Sequence, residues 1–284
     1  MAQTLIQPIP PMTIQPEHIT PPIALTIGGS DSGGGAGIQA DLLTFMAFEV
    51  HGCTAITCIT AQNTCGVSRV DPLPASGLKA QIEAVRGDLN VSAVKTGMLM
   101  NDELIQATAD ELRQWPIPLV VDPVMVSRTG AVLLEPRAVE TIRHELLPMA
   151  TLLTPNRHEA QLLSGEEISN ETSAVNAAAK LHNQGAAAVL IKRCGQQDLG
   201  GRDLLFDGEP HWLEGELINT PHSHGTGCSL SAAITAGLAR QQGLHRAIDA
   251  GRAYVKQGLQ RALAIGHGQG PICHWRISGI TQNE

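Results

Sequence analysis

Short apolar runs alternate with longer segments of helical spacing along most of the chain. Residues 23–27 are apolar apart from one threonine, as a strand buried on both faces would be, and residues 38–48 follow with helical spacing. The same reasoning predicts strands at 54–59, 68–70, 92–96, 119–121, 151–153 and 187–192. Pro72 and Pro74 end the weak third strand, because proline restricts the residue before it and donates no ladder hydrogen bond. Helices are predicted at 77–89, 102–115, 136–147, 157–163, 172–184, 227–238 and 244–262. In the 102–115 helix, Leu104, Ile105, Ala107, Ala109 and Leu112 form one apolar stripe. Residues 203–206 and 211–213 are placed to pair across Gly208-Glu209-Pro210. Strands alternating with helices predict an α/β fold with a mostly parallel sheet covered on both faces.

Composition narrows this picture in a few places. The 284 residues suit two ordinary domains or one large α/β domain. Hydrophobic residues at 43% and charged residues at 16% allow a large core and argue against global disorder. Aromatic residues are only 2%, so Leu, Ile, Val, Met and Ala must fill that core. A net charge of −8 argues against bulk nucleic-acid binding, yet permits a locally positive pocket. No apolar run is long enough for a membrane helix. The six cysteines form no Cys-x-x-Cys pair, and reduced thiols of a cytoplasmic protein are expected. The histidines show no zinc-like spacing. Residues 1–21 read as a flexible leader, and the last twenty residues lose periodicity and read as a surface tail.

Candidate chemistry sits at three places. The first is GGSDSGGGAG at 28–37, between a strand and a helix. Glycines in such a place serve either a tight turn or close approach to a ligand, and Asp31, Gln39 and Asp41 add polar groups for a small molecule. Residues 35–40 match G-x-G-x-x-A, but no acidic residue closes the second strand and no Lys follows the glycines. Asp31 at the centre of its G-x-D-x-G run also excludes a serine nucleophile elbow.

The second place is His224-Gly225-Thr226-Gly227-Cys228-Ser229, directly before an apolar helix. A helix start gathers backbone N–H groups into an anion site and is expected to lower the pKa of Cys228. The alternatives are a capped glycine turn with Cys228 as a small buried residue, or a cysteine nucleophile with His222 or His224 as its base. The third place is the oxygen set of Asp122, Asn156 and Glu159, which suits Mg²⁺. Asn156 and Glu159 equally fit a helix cap with a capping box. Lys192 and Arg193 offer positive charge for phosphate or for a salt bridge.

The segments ALTIGGSDSGGGAGIQADL (24–42), AITCITAQNTCGV (55–67), VKTGML (94–99), VVDPVMVSRTG (120–130), LLTPNRHEAQLL (152–163) and HGTGCSLSAAI (224–234) resemble, in order, the hydroxymethylpyrimidine kinase/phosphomethylpyrimidine kinase family of the thiamine pathway. The resemblance implies a ribokinase-like three-layer α/β fold, with one kinase domain over 22–265 and a tail over 266–284. It implies ATP- and Mg²⁺-dependent phosphorylation of 4-amino-5-hydroxymethyl-2-methylpyrimidine to the monophosphate and then the diphosphate. By motif it places Gln62, Asp41, Gly29, Met98 and Val124 at the pyrimidine, with Met125 taking the place of Val124 if the register differs by one. Gly225, Thr226, Gly227 and Cys228 become catalytic, with Cys228 orienting or deprotonating the substrate hydroxyl. Lys192, Asn156 and Asp122 lie on the ATP side, and Asn156 and Glu159 organise Mg²⁺, largely through water. Arg128 retains positive charge in the 125–134 flap. The resemblance also implies a cytoplasmic homodimer with a small-molecule pyrimidine substrate and neither nucleic-acid nor membrane partner. Pyridoxal or pyridoxine kinase is the nearest rival activity, and a catalytically silent pyrimidine binder is the rival of another class.

Overall fold

A computed structural model describes residues 19–125, 136–194, 201–275 and 277. Most of the leader, the glycine-containing loop at 127–134 with Arg128 and Thr129, and Gly195 lie outside the described residues.

The chain runs β1 (Ile23–Asp31), α1 (Gly37–Ala47), β2 (His51–Asn63), β3 (Gly66–Pro72), α2 (Ala75–Asp88), β4 (Ala93–Thr96), α3 (Asp102–Arg113) and β5 (Leu119–Val121). It continues through α4 (Pro136–Thr141), β6 (Leu152–Leu153), α5 (Arg157–Ser164), α6 (Glu171–Asn183), β7 (Val189–Ile191), β8 (Asp203–Phe206), β9 (Pro210–Leu213), α7 (Thr226–Ala239) and α8 (Leu244–Gln260). Among the described residues the sheet has nine strands in the order β3-β2-β1-β4-β5-β6-β7-β8-β9. The ladders from β2 through β7 are parallel. The hairpins β2–β3 and β8–β9 and the pair β7–β8 are antiparallel.

Alternating side chains divide the core into two layers, as the two-residue strand period requires. Leu25, Val94, Val121, Leu153 and Val189 face the larger cluster, which is completed by α2 to α6. Ala24, Ala93, Val120, Leu152 and Leu190 face the other cluster, under α1, α7 and α8. This is the expected helix–sheet–helix arrangement.

The main differences from expectation lie in three regions of the chain. β1 and β2 run on through polar and glycine residues to Asp31 and Asn63, because their ends pair with each other and with β3. The helix expected over 136–147 leaves α-geometry after Thr141, passes through a π-helical turn at Ile142–Leu146 and ends in a 3-10 turn at Leu147–Met149. Pro148 has no N–H with which to continue it. The surface tail is corrected in part: Ile272, Cys273 and His274 are buried, and His224 forms a β-bridge with Pro271.

A fully buried ion pair lies inside this frame. Lys95, on the fully buried β4, donates to both oxygens of Asp41 on α1, at 2.8 and 2.7 Å. Thr26 Oγ1 donates to the same carboxylate at 2.7 Å. Burial alone would lower the Lys95 pKa, but the Asp41 carboxylate overrides that and raises it. Removing one partner strands a charge in the interior, a loss of about 3–5 kcal/mol. Asp41→Ala is therefore expected to lose stability of that size in urea denaturation, and Asp41→Leu combined with Lys95→Met to regain more than half of it. A loss below about 1 kcal/mol for the single variant would contradict this account of the pair.

Candidate active site

Strand order sets the position of the site. β1 has β2 on one side and β4 on the other, so the connections from neighbouring carboxyl ends diverge and leave a crevice. A cavity of about 1310 Å³ occupies that edge. It is lined by Gly29 and Asp31 from β1, Gln62 from β2 and Met98 just beyond β4. Asp122 and Val124 follow β5, Asn156 and Glu159 follow β6, and Lys192 follows β7. The start of α7, Gly225 to Cys228, closes the cavity from the other layer. The residues that the resemblance places at the pyrimidine, the phosphate and the cation thus line one space, whereas Gln39 and His222 are not among its lining residues. Met125, the alternative to Val124, is buried and is not among the lining residues.

On the β1 side, a Cβ on Gly29 would stand 2.7 Å from Met98 Cε and 2.8 Å from Cys58 Sγ. Only glycine lets Met98 lie flat against the strand there. Ser32 Oγ donates to the Gln62 carbonyl at 2.7 Å and accepts from the Gln62 N–H at 2.8 Å, which fixes the Gln62 backbone beside the first turn. Asp31 organises that turn. Its carboxylate accepts from the N–H groups of Gly33, Gly35 and Ala36 at 2.8 to 3.0 Å and lies 3.2 Å from His224 Nε2. Burial opposes its ionisation, but hydrogen bonds from His224, Gln62 and the backbone hold its pKa down at about 2. Gln39 accepts from the Asp31 N–H at 2.9 Å and donates to Ser30 at 2.8 Å, so it braces the strand end. Asp41 lines the cavity, but its oxygens already accept from Lys95 and Thr26.

On the α7 side, Gly225 occupies the N-cap in the left-handed region, with φ of 78°, and no side chain caps the helix. The capped-turn alternative therefore does not describe this terminus; the Thr226 N–H makes a long bond of 3.4 Å to the Ser223 carbonyl, and the N–H groups that follow it at Gly227 and Cys228 remain available to an anion. A Cβ on Gly227 would stand 3.5 Å from Lys192 Nζ, so an ammonium group adjoins the helix start. Lys192 is paired with Asp122 at 2.8 Å, and Ser231 Oγ donates to the other Asp122 oxygen at 3.1 Å. The expected lowering of the Cys228 pKa is overturned. Burial, with Asp41 and Asp122 nearby, pushes the thiol up to about 11, against the opposing effects of Lys95 and the Gly37 N–H. The helix start alone does not make a thiolate here.

Asn156 and Glu159 form a reciprocal capping box. Asn156 Oδ1 accepts from the Glu159 N–H at 2.9 Å, and Glu159 Oε2 accepts from the Asn156 N–H at 2.7 Å. Asn156 is exposed to the cavity, whereas Glu159 is buried. Burial pushes the Glu159 pKa up to about 7 despite the nearby Lys192 charge. The cap is present, and it leaves room for a further role at the same residues. Sequence reasoning did not single out Lys95 or the Asp31–His224 contact. A lysine inside the apolar strand 92–96 was the available signal for the first. The second joins residues 193 positions apart, and no local pattern marks it.

Comparison with known proteins agrees with this geometry. A profile of the phosphomethylpyrimidine kinase family matches residues 31–273. The hydroxymethylpyrimidine/phosphomethylpyrimidine kinase of Synechococcus elongatus is 52% identical over 256 residues, covering 89% of this chain and 97% of that protein. The protein of the same description from Bacillus subtilis is 44% identical, covering 92% and 97%. Among solved structures, an ADP complex of Bacillus subtilis pyridoxal kinase superposes with a TM-score of 0.83 at 38% identity, covering 90% of this chain and 98% of that one. A phosphomethylpyrimidine kinase from Clostridium difficile superposes with a TM-score of 0.74 at 38% identity, covering 82% and 97%. With a profile match across most of its length, relatives this similar and the same three-layer ribokinase-like fold, the chain belongs to the phosphomethylpyrimidine kinase family of phosphotransferases.

Proposed function

We propose that the protein transfers the γ-phosphoryl group of ATP to the hydroxymethyl oxygen of 4-amino-5-hydroxymethyl-2-methylpyrimidine, and then phosphorylates the monophosphate to the diphosphate. One observation carries this reading. A single cavity joins a side formed by Gly29, Met98 and Gln62 to the uncapped start of α7 beside Lys192. The first side suits a flat aminopyrimidine, whose edge offers donor and acceptor groups for an amide such as Gln62. The second suits a transferring phosphoryl group, on which backbone N–H groups and a lysine stabilise charge. Relatives at 42–52% identity that carry this activity in their descriptions support it.

In this reading the hydroxymethyl oxygen attacks the γ-phosphorus, the new O–P bond forms, ADP leaves with the electrons of the broken bond, and the hydroxyl proton passes late in the transfer to a phosphoryl oxygen and from there to solvent. Gln62 and Met98 position the ring. Gly225, Thr226, Gly227 and Cys228 present the N–H groups of the helix start. Cys228 orients the attacking hydroxyl. With its thiol raised to about 11 it holds no standing thiolate, and a loose transfer needs little base strength before the transition state. Asp122 holds Lys192 at the phosphate side.

Mg²⁺ fits this donor set as an ion held mostly by phosphate and water. Among the described residues, no group of three His, Cys, Asp or Glu side chains is placed to hold a metal. Asn156 and Glu159 are the hard-oxygen residues that would face it. When bound, it neutralises phosphate charge. The family resemblance also supports a cytoplasmic homodimer. No helix among the described residues is long and apolar enough to cross a membrane.

A second reading has specific support, because several of the structural neighbours are pyridoxal kinases. Purified protein with Mg-ATP is expected to phosphorylate the pyrimidine alcohol and its monophosphate at least about tenfold more efficiently than pyridoxal or pyridoxine, a preference worth about 1.4 kcal/mol. Product from the vitamin B6 alcohols alone would contradict the proposal. Product from the pyrimidine alcohol without turnover of the monophosphate would confine it to the first step.

The thiol has its own test. Alkylation of Cys228 by iodoacetamide, read by peptide mass, is expected to climb about tenfold per pH unit from pH 7 to 10 without a plateau, since only the thiolate reacts. A plateau near pH 7 would contradict the raised pKa. Cys228→Ala is expected to lower kcat by about 10²-fold through lost orientation, and unchanged turnover would remove Cys228 from the mechanism.

A further inference from the structure

The two glycine turns of this site touch each other. A Cβ on Gly225 would collide with the Gly35 carbonyl oxygen, and a Cβ on Gly35 would stand 2.6 Å from His224 Cδ2. Asp31 and His224 join the turns at that contact. The Asp31 carboxylate accepts from three N–H groups of its own turn and lies 3.2 Å from His224 Nε2, and the Gln62 side chain also hydrogen-bonds to it. The backbone at His224 is held from a third direction. Its N–H donates to the Gly270 carbonyl at 3.1 Å, and its carbonyl accepts from the Ile272 N–H at 3.3 Å. The Gly270 N–H in turn donates to His222 Nδ1 at 3.0 Å. His224 is therefore fixed by backbone on one side and by Asp31 on the other, immediately before the residue that opens α7.

We propose that Asp31 and His224 are a positioning pair. They set the distance and angle between the turn that carries the ring side of the cavity and the turn that carries the phosphate-side N–H groups. The proposal rests on the reading that ring and phosphate bind on those two turns. The Asp31 carboxylate is taken up by the N–H groups of its own turn, by Gln62 and by His224, so the transferring phosphoryl group has no direct use of it. What depends on it is alignment. In-line transfer needs the attacking oxygen and the phosphorus within a narrow range, and a shift of about 1 Å costs on the order of 10²-fold in rate.

The pair predicts a split between kcat and KM. His224→Phe keeps a ring and removes the donor. It is expected to lower kcat about 30-fold or more, with KM for ATP and for the alcohol changed less than about threefold. His224→Gln retains an N–H that can reach Asp31 and is expected to recover at least about tenfold of that loss. Asp31→Asn weakens the same bond from the other turn. It is expected to give the same loss of kcat with KM for ATP changed less than about threefold, and it carries the test if His224→Phe does not fold. A rise in KM with kcat unchanged, equal losses in the Phe and Gln variants, or wild-type rates in all three would overturn the pair.

The alcohol used is whichever one the wild-type protein phosphorylates, so a failed substrate assignment is seen in the wild type and not in the variants. A substrate-free measurement covers the remaining case. Alkylation of Cys228 at pH 9 is expected to accelerate at least about fivefold in His224→Phe, because the turn that holds the thiol is no longer tied to Asp31. An unchanged rate there, in a variant that melts cooperatively, would also overturn the proposal.

Discussion

The approach of two glycine turns, Gly35 against Gly225, is the constraint on which the site depends. It brings the carboxyl end of a central strand and the amino end of a helix from the covering layer to the same point. The close contact leaves no room for a Cβ on Gly225, which adopts a positive φ as well. The sheet contributes the other half of the arrangement. Its order sends the chain away from β1 in opposite directions through β2 and β4, which opens the crevice into which β4, β5, β6 and β7 deliver Met98, Asp122, Asn156 and Lys192. The glycines at 35 and 225 thus meet a geometric requirement shared by the two turns.

Beneath this contact lies a set of buried charges. Lys95 is paired with Asp41, and Lys192 with Asp122. Each cation has a carboxylate partner, so the cavity floor is not a patch of bare positive charge. Net positive potential toward phosphate comes instead from the helix start and from the one face of Lys192 that meets it. Burial opposes ionisation of Cys228 and the same carboxylates add to it, which is why the dipole argument fails for this thiol. An acidic chain can build a phosphate site in this way, with oriented N–H groups and few free cations.

Much of the architecture was legible from apolar periodicity. The strand at 119–121 and the helices that cover the sheet follow from local pattern, and the cavity residues follow from motifs that sit at strand ends. The parts not legible have identifiable causes. β1 continues through Gly28, Gly29 and Ser30 because pairing with β2 stabilises residues of poor strand propensity. Residues 270–274 are buried without any periodic pattern, because they pack as a single bridge against His224 and place His274 Nδ1 2.8 Å from the Tyr254 hydroxyl. The thiol pKa depends first on burial by the folded core and then on Asp41 and Asp122, 187 and 106 positions away (228 − 41 and 228 − 122). Asn156 and Glu159 show the opposite case, since the spacing identified the cap and could not distinguish it from a cation site.

The central claim is spatial: ring and phosphoryl group meet where the two glycine turns touch. A crystal structure with the pyrimidine alcohol and a non-hydrolysable ATP analogue tests it most directly. The account predicts the ring beside Gly29, Met98 and Gln62, the hydroxymethyl oxygen within hydrogen-bond reach of Cys228 Sγ, and the terminal phosphate over the N–H groups that open α7. A pyrimidine bound away from Met98 and Gln62, or a terminal phosphate that does not approach the Gly225–Cys228 turn, would contradict it.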